Sequence, residues 1–396
     1  MKKKLTAALI ILSTINMMAQ SDINAKFGKG INVVAQDSSM SLKFSTRIQT
    51  LYEGTQDFNA NEWNDQILIR RARLKFEGYA FSENFTYKME LGLSNRDHGD
   101  PIDETRNTSR MILDAWVKWK FAKNWELLIG QAKLPSNRER LFSSASLQFV
   151  DRSLVNKYFT LDRDMGLQLI HKTSLGSKAF MKQYFALSMG EGRNITSDNI
   201  GGYDYTAKVE FWPLGAFTDK GDYFGSDLKR ESEPKLAVAF VYDYEDGASR
   251  QRGQTGKFFY DVNGDYVMSD LTTMSADFLF KYNGLSLQSE YGKRINNDGI
   301  VGLDANGKSL KYASGNGIVA SVGYLMENNW EFAVRYTKIN ADDLTISSLD
   351  EEKEYTFGIS KYIVGHHLKV QSDVSQLFVN GQKDSFTFRL QVEMGI

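Results

Sequence analysis

The last twelve residues, Ser385-Phe386-Thr387-Phe388-Arg389-Leu390-Gln391-Val392-Glu393-Met394-Gly395-Ile396, alternate without a break. Phe386, Phe388, Leu390, Val392, Met394 and Ile396 share one face of an extended chain; Thr387, Arg389, Gln391 and Glu393 share the other. Successive side chains of a strand point to opposite faces, so a strict period of two means one apolar and one polar face.

The same period runs upstream. Leu42, Phe44, Thr46, Ile48, Thr50 and Tyr52 alternate with Lys43, Ser45, Arg47 and Gln49. Met111, Leu113, Ala115, Val117, Trp119 and Phe121 alternate with residues that include Asp114, Lys118 and Lys120. Sixteen stretches read this way, from 40–53, 66–81 and 85–95 through to 352–362, 366–377 and 385–396. Many exceed the ~5–6 residues usual for soluble strands and match the ~9–11 of tilted membrane strands.

The links between them alternate too. Short ones fall at 82–84, 122–124, 174–178, 282–284, 327–328 and 363–365. Longer polar ones fall at 54–65, 96–108, 135–163, 191–201, 246–269, 295–313 and 340–351. Short turns on one side and long loops on the other are the layout of an outer-membrane barrel. The expected fold is therefore all-β: a closed antiparallel transmembrane β-barrel of about 16 strands, with a long constriction loop at 135–163. Two links fit less well: 378–384 is short for its side, and 213–234 is long where a turn is expected. An open sheet of this size would leave two unpaired edges, which hydrocarbon does not tolerate. Trp63, Trp125, Trp212, Trp330, Tyr324 and Tyr362, near strand ends, suit aromatic girdles. Barrels of this kind usually end in an aromatic residue, and Ile396 departs from that.

Composition narrows the function. Among 396 residues there is no Cys and there are 4 His, against 48 Lys+Arg and 49 Asp+Glu. Thiolate sites, disulfides and Cys nucleophiles are excluded, and the near-neutral balance gives no nucleic-acid signature. Met1-Lys2-Lys3-Lys4, an apolar run from Leu5 to Ile15 and the small Ala19 read as a secretory signal over 1–19. Removing its three lysines leaves 45 basic against 49 acidic residues. Residues 20–39 read as a loosely structured lead-in, and 40–396 as the barrel domain.

Several motifs imitate chemistry. Gly302-Leu303-Asp304-Ala305-Asn306-Gly307-Lys308-Ser309 matches a phosphate loop, but neither the buried strand before it nor the helix after it is present. Asp261-Val262-Asn263-Gly264-Asp265 starts like a calcium loop, yet Tyr266 stands where Gly is needed and Thr272 where Glu is needed. His366-His367 is a lone pair beside a turn. No nucleophile, base or metal constellation stands out, so neither an enzyme nor a cofactor is expected.

The basic residues are more informative. Ile69-Arg70-Arg71-Ala72-Arg73-Leu74-Lys75-Phe76 puts Arg71, Arg73 and Lys75 on the lumen face; parity puts Arg70 on the outer face, near the strand start. From Lys133 to Arg163 the long link carries Lys133, Arg138, Arg140, Arg152, Lys157 and Arg163 against Glu139, Asp151 and Asp162. Cations on a lumen wall lower the energy of a passing anion. The alternative is cross-strand pairing with Glu77, Glu90 and Asp114, which would leave little free field.

At these residues the chain resembles the phosphate-selective porin O/P family of Gram-negative outer membranes. The resemblance rests on Arg70-Arg71-Ala72-Arg73-Leu74-Lys75-Phe76-Glu77-Gly78, Tyr87-Lys88-Met89-Glu90, Leu113-Asp114-Ala115-Trp116-Val117, Ile129-Gly130-Gln131-Ala132-Lys133-Leu134-Pro135 and Asp162-Arg163-Asp164-Met165-Gly166. It implies a sixteen-strand barrel, a homotrimer, a constricting third external loop and basic residues that guide anions. Arg70, Arg71, Arg73 and Lys133 lie within the matching motifs. Lys75, Arg138, Arg140, Arg152 and Arg163 join them from the strand and the long link. The expectation is a passive outer-membrane porin, lipid-embedded, favouring small anions such as phosphate. The alternative is a surface-binding or adhesion barrel without an open channel.

Overall fold

The computed structural model describes residues 22–99, 102–106 and 109–396, so the expected export signal at 1–19 lies outside the described residues. The first strands are β1 (Asp22–Lys26), β2 (Gly30–Val34), β3 (Met40–Asp57), β4 (Glu62–Ala80) and β5 (Ser82–Gly92). They continue as β6 (Ile112–Ala122), β7 (Trp125–Lys133), β8 (Arg163–Leu175), β9 (Ala179–Ser188) and β10 (Asp204–Trp212). The second half holds β11 (Lys235–Ala248), β12 (Ser269–Tyr282), β13 (Leu285–Ile295), the short loop pair β14 (Ile300–Leu303) and β15 (Ser309–Lys311), and β16 (Gly315–Leu325). It ends with β17 (Trp330–Ala341), β18 (Glu352–Val364), β19 (Leu368–Val379) and β20 (Gln382–Gly395). Short helices α1 (Asn95–His98), α2 (Arg138–Leu141) and α3 (Leu154–Phe159) lie in the loops.

Sixteen of these strands, β3–β13 and β16–β20, pair antiparallel with their neighbours, and β20 returns to β3 from Ser385↔Asp57 to Gly395↔Arg47. Thr46 and Ile396 exchange backbone hydrogen bonds of 3.1 and 2.9 Å, so the last residue is stitched into the seam without an aromatic ring. Closure pairs the backbone around the whole ring, which is what a hydrocarbon environment demands. The two faces are those of the alternation. Phe240, Val334 and Phe357 stand exposed outside, while Glu290, Arg294, Lys369 and Gln391 are buried inside.

Parity, more than position along the strand, decides which way an aromatic points. Trp63, Trp125, Trp330 and Tyr324 are exposed on the outside, as expected of a girdle. Trp212 and Tyr362 are corrections: both point inward and are 1% exposed. Trp212 shares a face with Lys208 and Glu210 and stacks on Phe180 at 4.5 Å.

Other boundaries moved for local reasons. The link expected at 54–65 is a tight turn over 58–61, because Asp57 accepts the amides of Asn59 and Ala60 at 2.7 and 2.9 Å. The lead-in is an ordered hairpin: β1 pairs with β2, and β2 takes the part of the β3 edge that β20 does not reach. Gly28 and Gly30, at φ 76° and 74°, make its turn, a conformation that costs glycine nothing. The two imitation motifs fold alike. Asp304 accepts the amides of Asn306 and Lys308, and Asp261 those of Asn263 and Asp265, each closing a loop tip. Such Asx turns need no ligand.

Two long links enter the barrel. Residues 134–162, between β7 and β8, carry α2 and α3 across the lumen. Residues 213–234, between β10 and β11, enter from the side of the short turns. Two β-bulges complete the interior. Gln49↔Arg71 is followed by Thr50↔Ile69, and Glu90↔Asp114 by Leu91↔Ile112, so Arg70 and Leu113 are the extra residues.

Candidate permeation site

The loop 134–162 makes its most buried contacts with one side of the barrel. Arg138 pairs with Asp277 at 2.7 Å and Glu210 at 2.8 Å, with every side chain of the trio at most 3% exposed. Asn137 donates to Glu290 at 2.6 Å, and Gln148 to Ser286 and Glu331 at 2.8 Å each. The Val150 amide donates to Asp373 at 2.9 Å, and Lys369 and Gln371 donate to loop carbonyls. All these partners sit on β10–β19. A gap of about 20 Å³ lies between the loop, this wall and Gly225 of the 213–234 link, lined also by Gln148, Phe149 and Arg335. That is room for about one buried water, which needs ~10–15 Å³.

The open space lies on the other side of the loop, against β3–β8. A cavity of about 550 Å³ is lined by nine basic side chains, Arg71, Arg73, Lys88, Arg96, Lys133, Arg140, Arg152, Arg163 and Arg193. Four acidic ones, Glu90, Asp97, Asp114 and Asp162, oppose them. The strand register brings Arg71 and Arg73 here, and the loop brings Arg140 and Arg152. Lys133 and Arg163 face each other at the ends of β7 and β8. A second cavity of about 360 Å³ continues toward the short-turn side; it shares Arg73, Lys88 and Glu90 with the first and adds Lys43, Arg47 and Lys75.

Of the nine residues anticipated from sequence, six line the first cavity: Arg71, Arg73, Lys133, Arg140, Arg152 and Arg163. Lys75 lines the second. Arg70 and Arg138 line neither. The bulge turns Arg70 inward, against the parity expectation; it is 6% exposed and ion-paired to Asp151. Arg138 is held in its trio under the loop. Lys88, Arg96 and Arg193 were missed. The alternation Tyr87-Lys88-Met89-Glu90 already aims Lys88 at the lumen; Arg96 and Arg193, in loops, carried no such sign.

Pairing divides the basic set. Arg73 meets Glu90 and Asp97 at 3.0 and 2.5 Å, Lys88 meets Glu90 and Asp114, and Arg163 meets Asp114 at 2.7 Å. Arg140 pairs with Asp162, and Lys75 with Glu77. Among the described residues, no carboxylate lies within ion-pair distance of Arg71, Lys133, Arg152 or Arg193. Arg71 donates to Gln49 at 2.7 Å. Lys133 donates to the carbonyls of Arg140, Leu141 and Phe142, and Arg152 to those of Glu139 and Phe142. Arg193 donates to the Asp97 carbonyl. In the loops, burial and neighbouring guanidinium groups push Arg152 and Arg193 down to about 10. Both remain charged at neutral pH and repel their neighbours.

Residues 42–385 match the family of phosphate-selective porins O and P. The chain belongs to that family. The porin is 23% identical over 388 residues to an uncharacterized protein of Aquifex aeolicus, covering 89% of this chain and 86% of the relative. Its fold is similar to an anion-selective porin from Comamonas acidovorans, with a TM-score of 0.55 and 9% identity over 90% of this chain and all of the other. It is also similar to OmpT of Vibrio cholerae, solved in a trimer form, at a TM-score of 0.52 and 10% identity over 90% and 100% of the two chains. The porin is thus an outer-membrane β-barrel that forms a channel for passive diffusion.

Proposed function

We propose that the porin favours small anions, with phosphate a leading candidate, and that they pass along the β3–β8 wall. The observation that carries this is the convergence of Arg71, Lys133, Arg152 and Arg193 on one water-accessible cavity with no carboxylate within ion-pair distance among the described residues. Cations held close without counter-charge lose stability to mutual repulsion, and an arriving anion relieves it. Arg offers planar paired donors that suit phosphate and carboxylate oxygens. The paired members, Arg73, Lys88, Arg140 and Arg163, shape the lane and add to its local field. Arg70 and Arg138 act as anchors for the loop.

Export through a cleaved signal at 1–19 into the outer membrane of a Gram-negative bacterium, assembly as a homotrimer and the absence of catalysis complete the proposal. The leading sequence supports the first, and the trimer form of OmpT supports the second.

Single-channel recording in a planar bilayer tests the reading. A KCl gradient should give an anion-selective reversal potential, and added phosphate should reduce the chloride current. A large unselective current would remove the anion preference. No current from folded barrels would move the weight to a surface-binding barrel.

A further inference from the structure

The link 213–234 stands on the side where every other connection is a short turn, and it does not extend away from the barrel. Its middle runs up inside the lumen until it meets the constriction loop: the Gly225 amide donates to the Ser146 carbonyl at 2.9 Å. At Gly225 a Cβ would lie 2.9 Å from Gln148, so the contact is close enough to require glycine.

The inner wall holds the segment in place. Lys281 of β12, itself buried, donates to the carbonyls of Gly221, Phe224 and Ser226 at 2.8, 2.9 and 2.6 Å. The Ser226 hydroxyl and the Tyr362 hydroxyl both donate to Glu331, at 2.5 and 2.6 Å. The Asp227 carboxylate accepts the Gly284 amide at 2.8 Å. Phe217 packs in one buried cluster with Phe142 and Leu147 of the constriction loop and Trp212 of the wall. Apolar contacts and satisfied polar groups of this kind fix an arrangement.

Two consequences follow. Beneath the constriction loop the β10–β18 half of the lumen is filled from below as well as from above. The segment also presents Tyr223 to the first basic cavity and Phe224 to the second, where Phe224 stacks on His366 at 5.3 Å. These two rings are aromatic members of an otherwise largely polar and charged lining.

We propose that residues 213–234 are a specificity-determining plug: they close the second half of the pore and line the anion lane with Tyr223 and Phe224. Lys281 is the positioning residue that holds the plug. This rests on the anion-lane reading above for the selectivity part, but the closure part stands apart from it.

The test replaces residues 216–231 by Asn-Gly and compares the variant with the full chain in planar bilayers, after a heat-modifiability gel confirms a folded barrel. Conductance should rise severalfold, and the reversal potential should move toward zero. A folded variant with unchanged conductance overturns the plug. If the unaltered porin is itself unselective, the anion reading fails, and the conductance rise still decides the closure. Should the replacement not fold, Lys281→Met and the double variant Tyr223→Ala/Phe224→Ala keep the backbone length. Lys281→Met should give noisy, enlarged openings, and the double variant should widen the lane. Wild-type conductance in both refutes the proposal.

Discussion

The two halves of the lumen wall are both dense in charge, yet they behave as opposites. On β10–β19 inserted segments cover buried charged side chains: Arg138 lies over Asp277 and Glu210, Lys281 lies under three carbonyls, and Lys369 lies against the Ala145 carbonyl. Against β3–β8 lies an open cavity, and among the described residues four of the cations around it, Arg71, Lys133, Arg152 and Arg193, have no carboxylate within ion-pair distance. Charge on the inside of a barrel strand is therefore not by itself a pore property. Whether a loop covers it separates an adhesive surface from a guiding one.

The largest effect should come from uncovering the covered wall. Arg138→Ala leaves Asp277 buried with its cation gone and Glu210 with only Lys208 at 3.8 Å, and breaking a buried pair typically costs roughly 3–5 kcal/mol. Thermal unfolding in detergent should fall, and conductance should rise as the loop detaches. Arg138→Lys, which keeps the charge, should recover part of both. A variant with unchanged stability and conductance would mean the loop is held elsewhere.

On the open wall the prediction is for selectivity more than stability. Arg71→Ala combined with Arg152→Ala removes two cations that, among the described residues, no carboxylate holds, so folding should suffer less than in Arg138→Ala. The anion preference should fall, and the phosphate concentration for half-block should rise by about tenfold per cation, about 1.4 kcal/mol each. If block by phosphate is as strong as before, those two groups do not touch the permeating ion.

While the Val150 amide beside it donates to Asp373 of β19, Asp151 pairs with Arg70 of β4 and Arg389 of β20. Burial alone would raise its carboxyl, but Arg70, Arg389 and Arg71 outweigh that and hold it at about 2. The sign is that of a depressed acid: its stabilisation is complete above about 3.8 and is lost as pH falls toward about 2. Channels taken from pH 5 to pH 2.5 should lose stability and become noisy as the loop tip loosens. Asp151→Asn should already be loose at pH 7 and should flatten that dependence. An identical acid response in the variant would place the titrating group elsewhere.

How much of this contrast was legible in the chain itself follows from what alternation encodes. The period of two located all sixteen barrel strands within a few residues, because a membrane barrel writes its two environments on alternate positions. It also aimed Arg71, Arg73, Lys75 and Lys88 at the lumen. It failed at Arg70, since a bulge adds one residue and resets the parity, and nothing in Ile69-Arg70-Arg71 announces the bulge. It failed at Trp212 and Tyr362 because an aromatic near a strand end fits a girdle and an inserted plug equally well. The pairing state of each cation was also out of reach. Arg138 and Arg152 sit on the same loop with similar neighbours in sequence, yet one meets two carboxylates across the lumen and the other meets carbonyls. Only the path of the loop decides that.

The smallest effect sharpens the same distinction within the open wall. Lys75 pairs with Glu77 at 3.1 Å, and Lys43 holds the same carboxylate at 3.2 Å, with all three side chains about a third exposed. Pairs this wet are worth ~0–1 kcal/mol, so Lys75→Ala should leave stability unchanged within error. Its effect on selectivity should be well below that of Arg71→Ala, because Lys43 remains to neutralise Glu77. Ionic strength separates the two possible origins of any residual effect. At 0.1 M salt the screening length is about 10 Å, so Lys75 still contributes to the field of the vestibule; at 1 M it is about 3 Å, and only cations in contact with the ion still count. The Lys75→Ala shift in reversal potential should therefore vanish at high salt, while the Arg71→Ala shift persists. Equal persistence of both would mean that carboxylate pairing does not decide which cations the anion feels, and the contrast between the two walls would reduce to the sum of their charges.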